Sequence, residues 1–254
     1  MKDVQNQFDS RNIALNEVGI KDLRYPLEIK DSNGEWFKTH ATISARVGLQ
    51  AEQKGTHMSR FVEIIQKYNK LDIGDVRALL EDMKIHLNAE TAYIKISFDY
   101  FVKKCSPVTE KEAYINVDVL IDAALEGNDF NFNVTVITPV TTLCPCSKEI
   151  SDYSAHNQRA LVTITTNTQK FIPFETYVSI SEGAASSPIY TLLKRPDEKY
   201  VTEYAYDHPK FVEDVCRDVK QELDKIEGIN QYSVEVESLE SIHNHSAFAK
   251  VIKK

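Results

Sequence analysis

The chain has 254 residues, 42% of them hydrophobic, enough for one large domain or two of ordinary size. A formal net charge of −8 excludes the broad cationic surface needed to grip nucleic acid, and no run of about 18 apolar residues exists to cross a membrane as a helix. Four cysteines (Cys105, Cys144, Cys146, Cys216) are too few and too scattered for a disulfide framework, and the polar start from Met1 to Ser10 carries no signal peptide, so a cytoplasmic protein with reduced thiols is expected.

Residues 1–35 are polar, lack a sustained period and read as a peripheral arm. Strict alternation then sets in at Ala41, Ile43, Ala45, Val47 and Leu49, a half-buried strand. After Gly55 the period lengthens. Val62, Ile64, Ile65 and Tyr68 predict a helix capped by Ser59, and Ile73, Val76, Leu79, Leu80, Met83 and Leu87 a second begun at Asp72. Alternation returns from Ile94 to Val102, and a further strand is predicted from Ala113 to Asp122.

Gly127-Asn128-Asp129 marks a turn, which divides the chain into halves at 1–126 and 127–254. The second half repeats the plan: strands from Phe130 to Val136 and Ala160 to Thr166, a helical region from Phe174 to Tyr206 broken at Pro188 and Pro196, and a helix from Pro209 to Glu227. Strands from Tyr232 to Glu237 and Ala247 to Ile252 close it. Strands that return after helices predict an α+β fold, antiparallel sheets with helices on one face. Such sheets leave open edges that association between subunits would cover, so an oligomer is expected.

The chemistry concentrates in Leu143-Cys144-Pro145-Cys146-Ser147-Lys148-Glu149, Ala155-His156-Asn157-Gln158-Arg159 and Ile242-His243-Asn244-His245-Ser246. Thiols, imidazoles and carboxylates are transition-metal ligands, and a shell of three protein donors leaves a position where water is activated. Read as extended chain, Cys144 and Cys146 share one face and so do His243 and His245, whose imidazoles suit proton transfer near neutral pH. The same residues also suit two small buried thiols and two surface histidines. Glu213, beside Asp214 in the first turns of the Pro209 helix, could accept two hydrogen bonds from a flat heterocycle such as an amino-pyrimidinone edge. Lys54, Arg60, Lys148 and Arg159 are the cations that could converge on an anionic small molecule.

These strings, with Gly55-Thr56-His57-Met58-Ser59-Arg60-Phe61, Asp197-Glu198-Lys199-Tyr200 and Phe211-Val212-Glu213-Asp214, closely resemble the type IB GTP cyclohydrolases of bacteria from about residue 35 to the end. The resemblance implies two tunnelling folds per subunit, a homotetramer with sites at subunit interfaces, and conversion of GTP and water to 7,8-dihydroneopterin triphosphate and formate, the first committed step toward tetrahydrofolate. It further implies that Cys144, His156 and Glu198 hold a divalent metal (zinc, manganese or iron), with the fourth position for water. Glu213 would anchor guanine, and His243 and His245 would transfer protons. Cys146 becomes a neighbour of the metal, and Arg60, Lys148 and His57 are candidates for contact with the triphosphate or the rest of the substrate.

Two other readings stand beside this one. A thiol-dependent nitrile reductase of the same fold, acting on a deazaguanine with NADPH, would use Cys146 but has no need of His156, Glu198 and His243. A non-catalytic protein with a closed structural zinc site would use the thiols and imidazoles without turnover.

Overall fold

The computed structural model describes residues 4–5, 7–168 and 171–254. The chain forms two compact units, one of residues up to Asp99 with Leu120–Val134, the other of Tyr100–Val119 with Thr135–Lys254. The predicted division at 126/127 falls in a hairpin turn, where Gly127 takes a φ of +58° that most side chains resist.

The first unit opens with a long antiparallel pair, β1 (Leu15–Lys30) and β2 (Trp36–Leu49). Helix α1 (Met58–Lys67), the short strand β3 (Lys70–Leu71) and helix α2 (Val76–Leu87) follow, and then β4 (Thr91–Cys105), β5 (Glu112–Glu126) and β6 (Asp129–Leu143) pass through. Their order within this unit is β6-β5-β4-β2-β1-β3. Alternation explains the layer: Ala41, Ile43, Ala45 and Val47 of β2 are buried, as are Phe61, Ile64 and Ile65 of α1 and Leu79, Leu80 and Met83 of α2.

Residues 15–30 correct the expectation of a featureless arm. β1 is a full strand whose period is interrupted twice by register shifts, between Leu15 and Val18 and between Ile20 and Leu23. Between the two shifts the backbones come so close that a Cβ on Gly19 would lie 2.1 Å from the Ala45 carbonyl oxygen. At the second, Asp22 adopts a φ of +56° and its N–H donates to the Ser44 hydroxyl at 3.1 Å. Of the predicted arm, residues 1–3 and 6 lie outside the described residues; Asp9 and Lys54 are tied by backbone bonds to Glu52 and Gln7 respectively. The cap of α1 is also corrected: His57 occupies it, because the helix begins at Met58 and takes Ser59 into its first turn. Asp72 does cap its segment, accepting from the Gly74 N–H at 3.2 Å at the head of a 3-10 turn that leads into α2.

The second unit adds α3 (Pro145–Ile150), β7 (Asn157–Thr168), α4 (Phe174–Ala184), β8 (Ser187–Pro188), α5 (Arg195–Asp207), α6 (Val212–Leu223), β9 (Ile229–Leu239) and β10 (Ser246–Lys253). Within it the strands run β10-β9-β7-β6-β5-β4, with β8 against β6. Val215, Val219 and Leu223 of α6 are buried, as are Val234 and Val236 of β9. Each such side chain contributes about 1.5–3 kcal/mol of burial, so this apolar stripe, more than helix propensity, fixes α6 and the residues of its first turn.

Both proline readings shift. Pro196 sits in the first turn of α5, where its missing N–H costs nothing, and so begins a helix instead of breaking one. Pro209 precedes α6: the cap is Phe211, whose N–H donates to the Asp214 carboxylate at 3.1 Å.

Candidate functional site

A cavity of about 350 Å³ opens in the second unit where β6 and β9 end and β7 and β10 begin. Its wall includes Cys144, His156, Glu213, His243 and His245, five of the residues singled out from sequence. The volume falls in the range of about 300–1,000 Å³ usual for small-molecule sites.

Cys144 is the cap of α3 and Cys146 lies inside that helix, so the expected extended Cys-x-Cys face is replaced by a helix start. Pro145 opens the helix, the Ser147 N–H donates to Cys144 Sγ at 3.4 Å, and Cys146 lies exposed in the first turn, also on the cavity wall. The Cys144 N–H donates to the His156 carbonyl oxygen at 3.1 Å, which brings the residue before β7 beside the residue after β6. His156 Nδ1 lies 2.9 Å from Gln158 Oε1 and 3.3 Å from the Ser241 hydroxyl.

His243 and His245 belong to the bend joining β9 to β10. Their rings stack with centroids 5.3 Å apart and planes 15° from parallel. His245 Nδ1 lies 3.1 Å from the Ser246 carbonyl oxygen, an acceptor only, so Nδ1 is the donor of that pair. Glu213 is exposed on the first turn of α6, in line with the helix N–H groups that favour a carboxylate.

The remaining expected residues lie off this wall. Glu198 is exposed in the first turn of α5, whose N-terminus is fixed by its neighbour Asp197. The wholly buried Asp197 carboxylate accepts from the N–H groups of Val108 (2.9 Å), Thr109 (2.8 Å) and Lys194 (2.8 Å) and from the Thr109 hydroxyl (2.6 Å). Burial alone would raise its pKa, but these bonds, led by those of Thr109, hold it well below the usual carboxylate range. Lys148 places its ammonium 4.1 Å from the Tyr206 ring centre and donates to the Tyr206 carbonyl. His57 and Arg60 belong to the first unit, where Arg60 donates to the His86 carbonyl at 3.2 Å.

Among the described residues no three His, Cys, Asp or Glu side chains are close enough together to share an ion. The donors that do face the cavity suit one: a thiol and an imidazole whose second nitrogen is tied back are borderline-soft ligands of the kind zinc and iron take. Within the described residues of the chain neither wall carboxylate, Glu213 or Glu240, joins this pair closely enough to complete a catalytic shell.

Sequence reasoning assigned no part to Gln158, Glu240 or Lys210, all on the wall. For Gln158 a signal was available, since the i, i+2 spacing from His156 at a strand start puts both on one face. Lys210 donates to Asp218 at 2.6 Å and is the one Lys or Arg among the described residues of the wall. A second cavity, about 480 Å³ and lined by tyrosines, also lies in this unit. Among its charged groups Lys104 and Glu182 are bonded to each other, and burial pushes the Glu182 carboxyl upward.

The family profile described as type I GTP cyclohydrolase folE2 matches residues 1–249. The protein named GTP cyclohydrolase FolE2 of Thermotoga maritima is 53% identical over 253 residues, covering 100% of this chain and 97% of that relative. The like-named proteins of Fervidobacterium nodosum and Syntrophobacter fumaroxidans are 48% and 47% identical, covering 98% of this chain and 96% and 98% of their own length. Among solved structures, the uricase of Arthrobacter globiformis matches with a TM-score of 0.53 at 6% identity, covering 93% of this chain and 92% of that one. A uricase from Bacillus fastidious gives 0.51 at 8% with the same coverage. At such identity the likeness carries the fold alone, tandem tunnelling folds built of antiparallel sheets with helices on one face.

Proposed function

The chain belongs to the type I GTP cyclohydrolase FolE2 family and is a GTP cyclohydrolase of folate biosynthesis; from that premise we propose that the cavity walled by Cys144, His156, Glu213, His243 and His245 is where GTP is turned over. The reaction class is hydrolysis at the C–N bonds of a cyclic amidine, the type IB reaction giving 7,8-dihydroneopterin triphosphate and formate. The single observation that carries this reading is the gathering of those five side chains, from four separated stretches of chain, around one cavity of suitable volume.

Cys144 and His156 would hold a divalent ion, zinc, manganese or iron, with Glu198, which lies off this wall within the chain, as the third ligand that the family resemblance implies; the ion would supply Lewis-acid activation of water when bound. Glu213 accepts two hydrogen bonds from the N–H groups of the guanine edge, and a carboxylate meets that edge better than any neutral acceptor. Water adds at C8 of the purine, the five-membered ring opens, and a second hydration releases formate before the ribose carbons close the new pterin ring. Each opening step needs a proton delivered to a departing nitrogen. His243 and His245 are the imidazoles on the wall available for it, and such transfers contribute about 10²–10⁴-fold each. Lys148, Arg60 and His57 remain candidates for phosphate or substrate contact, in a cytoplasmic homotetramer with sites at subunit interfaces.

The test is incubation of metal-loaded protein with GTP, followed by oxidation and pterin fluorescence. Cys144→Ala should abolish the signal and lose the metal, whereas His243→Ala should lose turnover by about 10²–10⁴-fold and keep the metal. An emptied metal site in His243→Ala, in a folded protein, would remove that histidine from the proton-transfer role.

A further inference from the structure

The side chains behind His156 form a directed chain of hydrogen bonds. Gln158 Oε1 lies 2.9 Å from His156 Nδ1, and Gln158 Nε2 lies 3.3 Å from the Thr142 hydroxyl and 3.4 Å from Glu240 Oε1. Thr142 is in turn 3.3 Å from the Ser238 hydroxyl, and both residues are buried. A carboxylate accepts and does not donate, so the end of the Gln158 amide that faces Glu240 must be the NH₂. Turning the amide over would set its oxygen against the carboxylate oxygen and leave both its N–H groups without the Thr142 and Glu240 acceptors. Glu240 therefore decides which way the amide points. The amide oxygen then faces His156, so the proton of the neutral imidazole sits on Nδ1 and the lone pair sits on Nε2. Ser241, 3.3 Å from the same Nδ1, can accept from it as well and reinforces the same tautomer.

We infer that Gln158 and Glu240 are positioning residues that lock His156 as the Nδ1–H tautomer, presenting Nε2 as the ligand for a divalent metal in the cavity. The inference rests on the reading of His156 as a metal ligand and adds what makes it a good one. Without the relay the ring would divide between two tautomers and turn more freely, and both effects weaken a metal–nitrogen bond. Loss of such an outer partner typically costs about 10–100-fold in metal affinity.

The test is zinc affinity, measured by competition with a chromophoric chelator on the full chain and its variants. Gln158→Leu should weaken zinc by about 10–100-fold. The paired exchange Gln158→Glu with Glu240→Gln keeps an acceptor facing Nδ1 and a donor behind it, and should restore the parent affinity. In the metal-free protein, ¹⁵N-resolved ring signals of His156 should show the proton on Nδ1, and in Gln158→Leu a mixture of tautomers. Parent affinity in Gln158→Leu, while His156→Ala loses zinc, overturns the inference and leaves His156 a ligand. Parent affinity in His156→Ala overturns the ligand reading and the inference with it. Should Gln158→Leu fail to fold, the paired exchange decides: parent affinity supports the relay, and a loss of about tenfold or more overturns it.

Discussion

Helices α5 and α6 begin with the same two acids in opposite order, Asp197-Glu198 and Glu213-Asp214, and the difference separates what holds a helix from what is left for chemistry. In each, the aspartate three residues after the cap accepts the cap's own N–H, from Lys194 at 2.8 Å and from Phe211 at 3.1 Å. The shorter side chain reaches back to the cap, and the glutamate beside it is left exposed. Beyond that the two starts diverge. Asp197 is wholly buried and also binds the 108–109 loop, whereas Asp214 is partly exposed and meets only a surface arginine, Arg217, at 3.4 Å. α5 is therefore pinned as a fixture of its unit, while α6 is held by its apolar stripe, with Glu213 over the cavity.

The comparison breaks most readily at the two glutamates. Glu213→Gln exchanges a charged acceptor for a neutral amide against the guanine edge and should lower kcat/KM for GTP by about 10²–10⁴-fold with the metal retained. Glu198→Gln should do the opposite in kind, lowering metal content first, by at least about 100-fold in affinity, and turnover with it. Steady-state kinetics beside metal analysis separates them; equal metal loss in both variants would erase the distinction.

The aspartates come next. Asp197→Asn leaves one acceptor oxygen for four donors and should lower Tm by about 5 °C or more. Because the Asp197 carboxyl is held below its ordinary range, its contribution is present in full above about pH 4 and is lost as pH falls through the folded value. Acid unfolding followed by circular dichroism should accordingly be less steep below about pH 4 in Asp197→Asn than in the parent. Asp214→Ala removes one cap bond at the surface, about 0.5–1 kcal/mol, and should shift Tm by only about 1–4 °C. A larger fall for Asp214→Ala than for Asp197→Asn would reverse the ranking drawn from burial.

Regular periods were what the sequence made legible. β2, β4, β9 and α2 follow from alternation and helical spacing that tertiary packing merely uses. β1 does not, because two register shifts break its period and its early residues face solvent, so polarity and irregularity read as an arm. With β1 restored and the two-residue β3 set aside, the first half runs strand, strand, helix, helix, strand, strand, and the second half keeps that order around the inserted α3, β8 and α5. In the cavity, Cys144, His156, Glu213, His243 and His245 were legible because their residue types are rare and chemically distinctive. Their backbone setting was not: a single residue between two cysteines fits a strand and a helix start alike, and Pro145 at a first helical position decided for the helix. Glu240 stayed silent because a carboxylate is an ordinary surface residue until a neighbour gives it a direction, and Gln158 offered only its i, i+2 spacing from His156.

The most direct measurement is a crystal structure of the protein with a divalent ion and a guanine nucleotide bound. The account predicts the ion on Cys144 Sγ, His156 Nε2 and the Glu198 carboxylate, with the guanine edge on Glu213 and an imidazole of His243 or His245 facing the purine. An ion bound without Cys144 and His156, or a guanine ring seated away from Glu213, would contradict it.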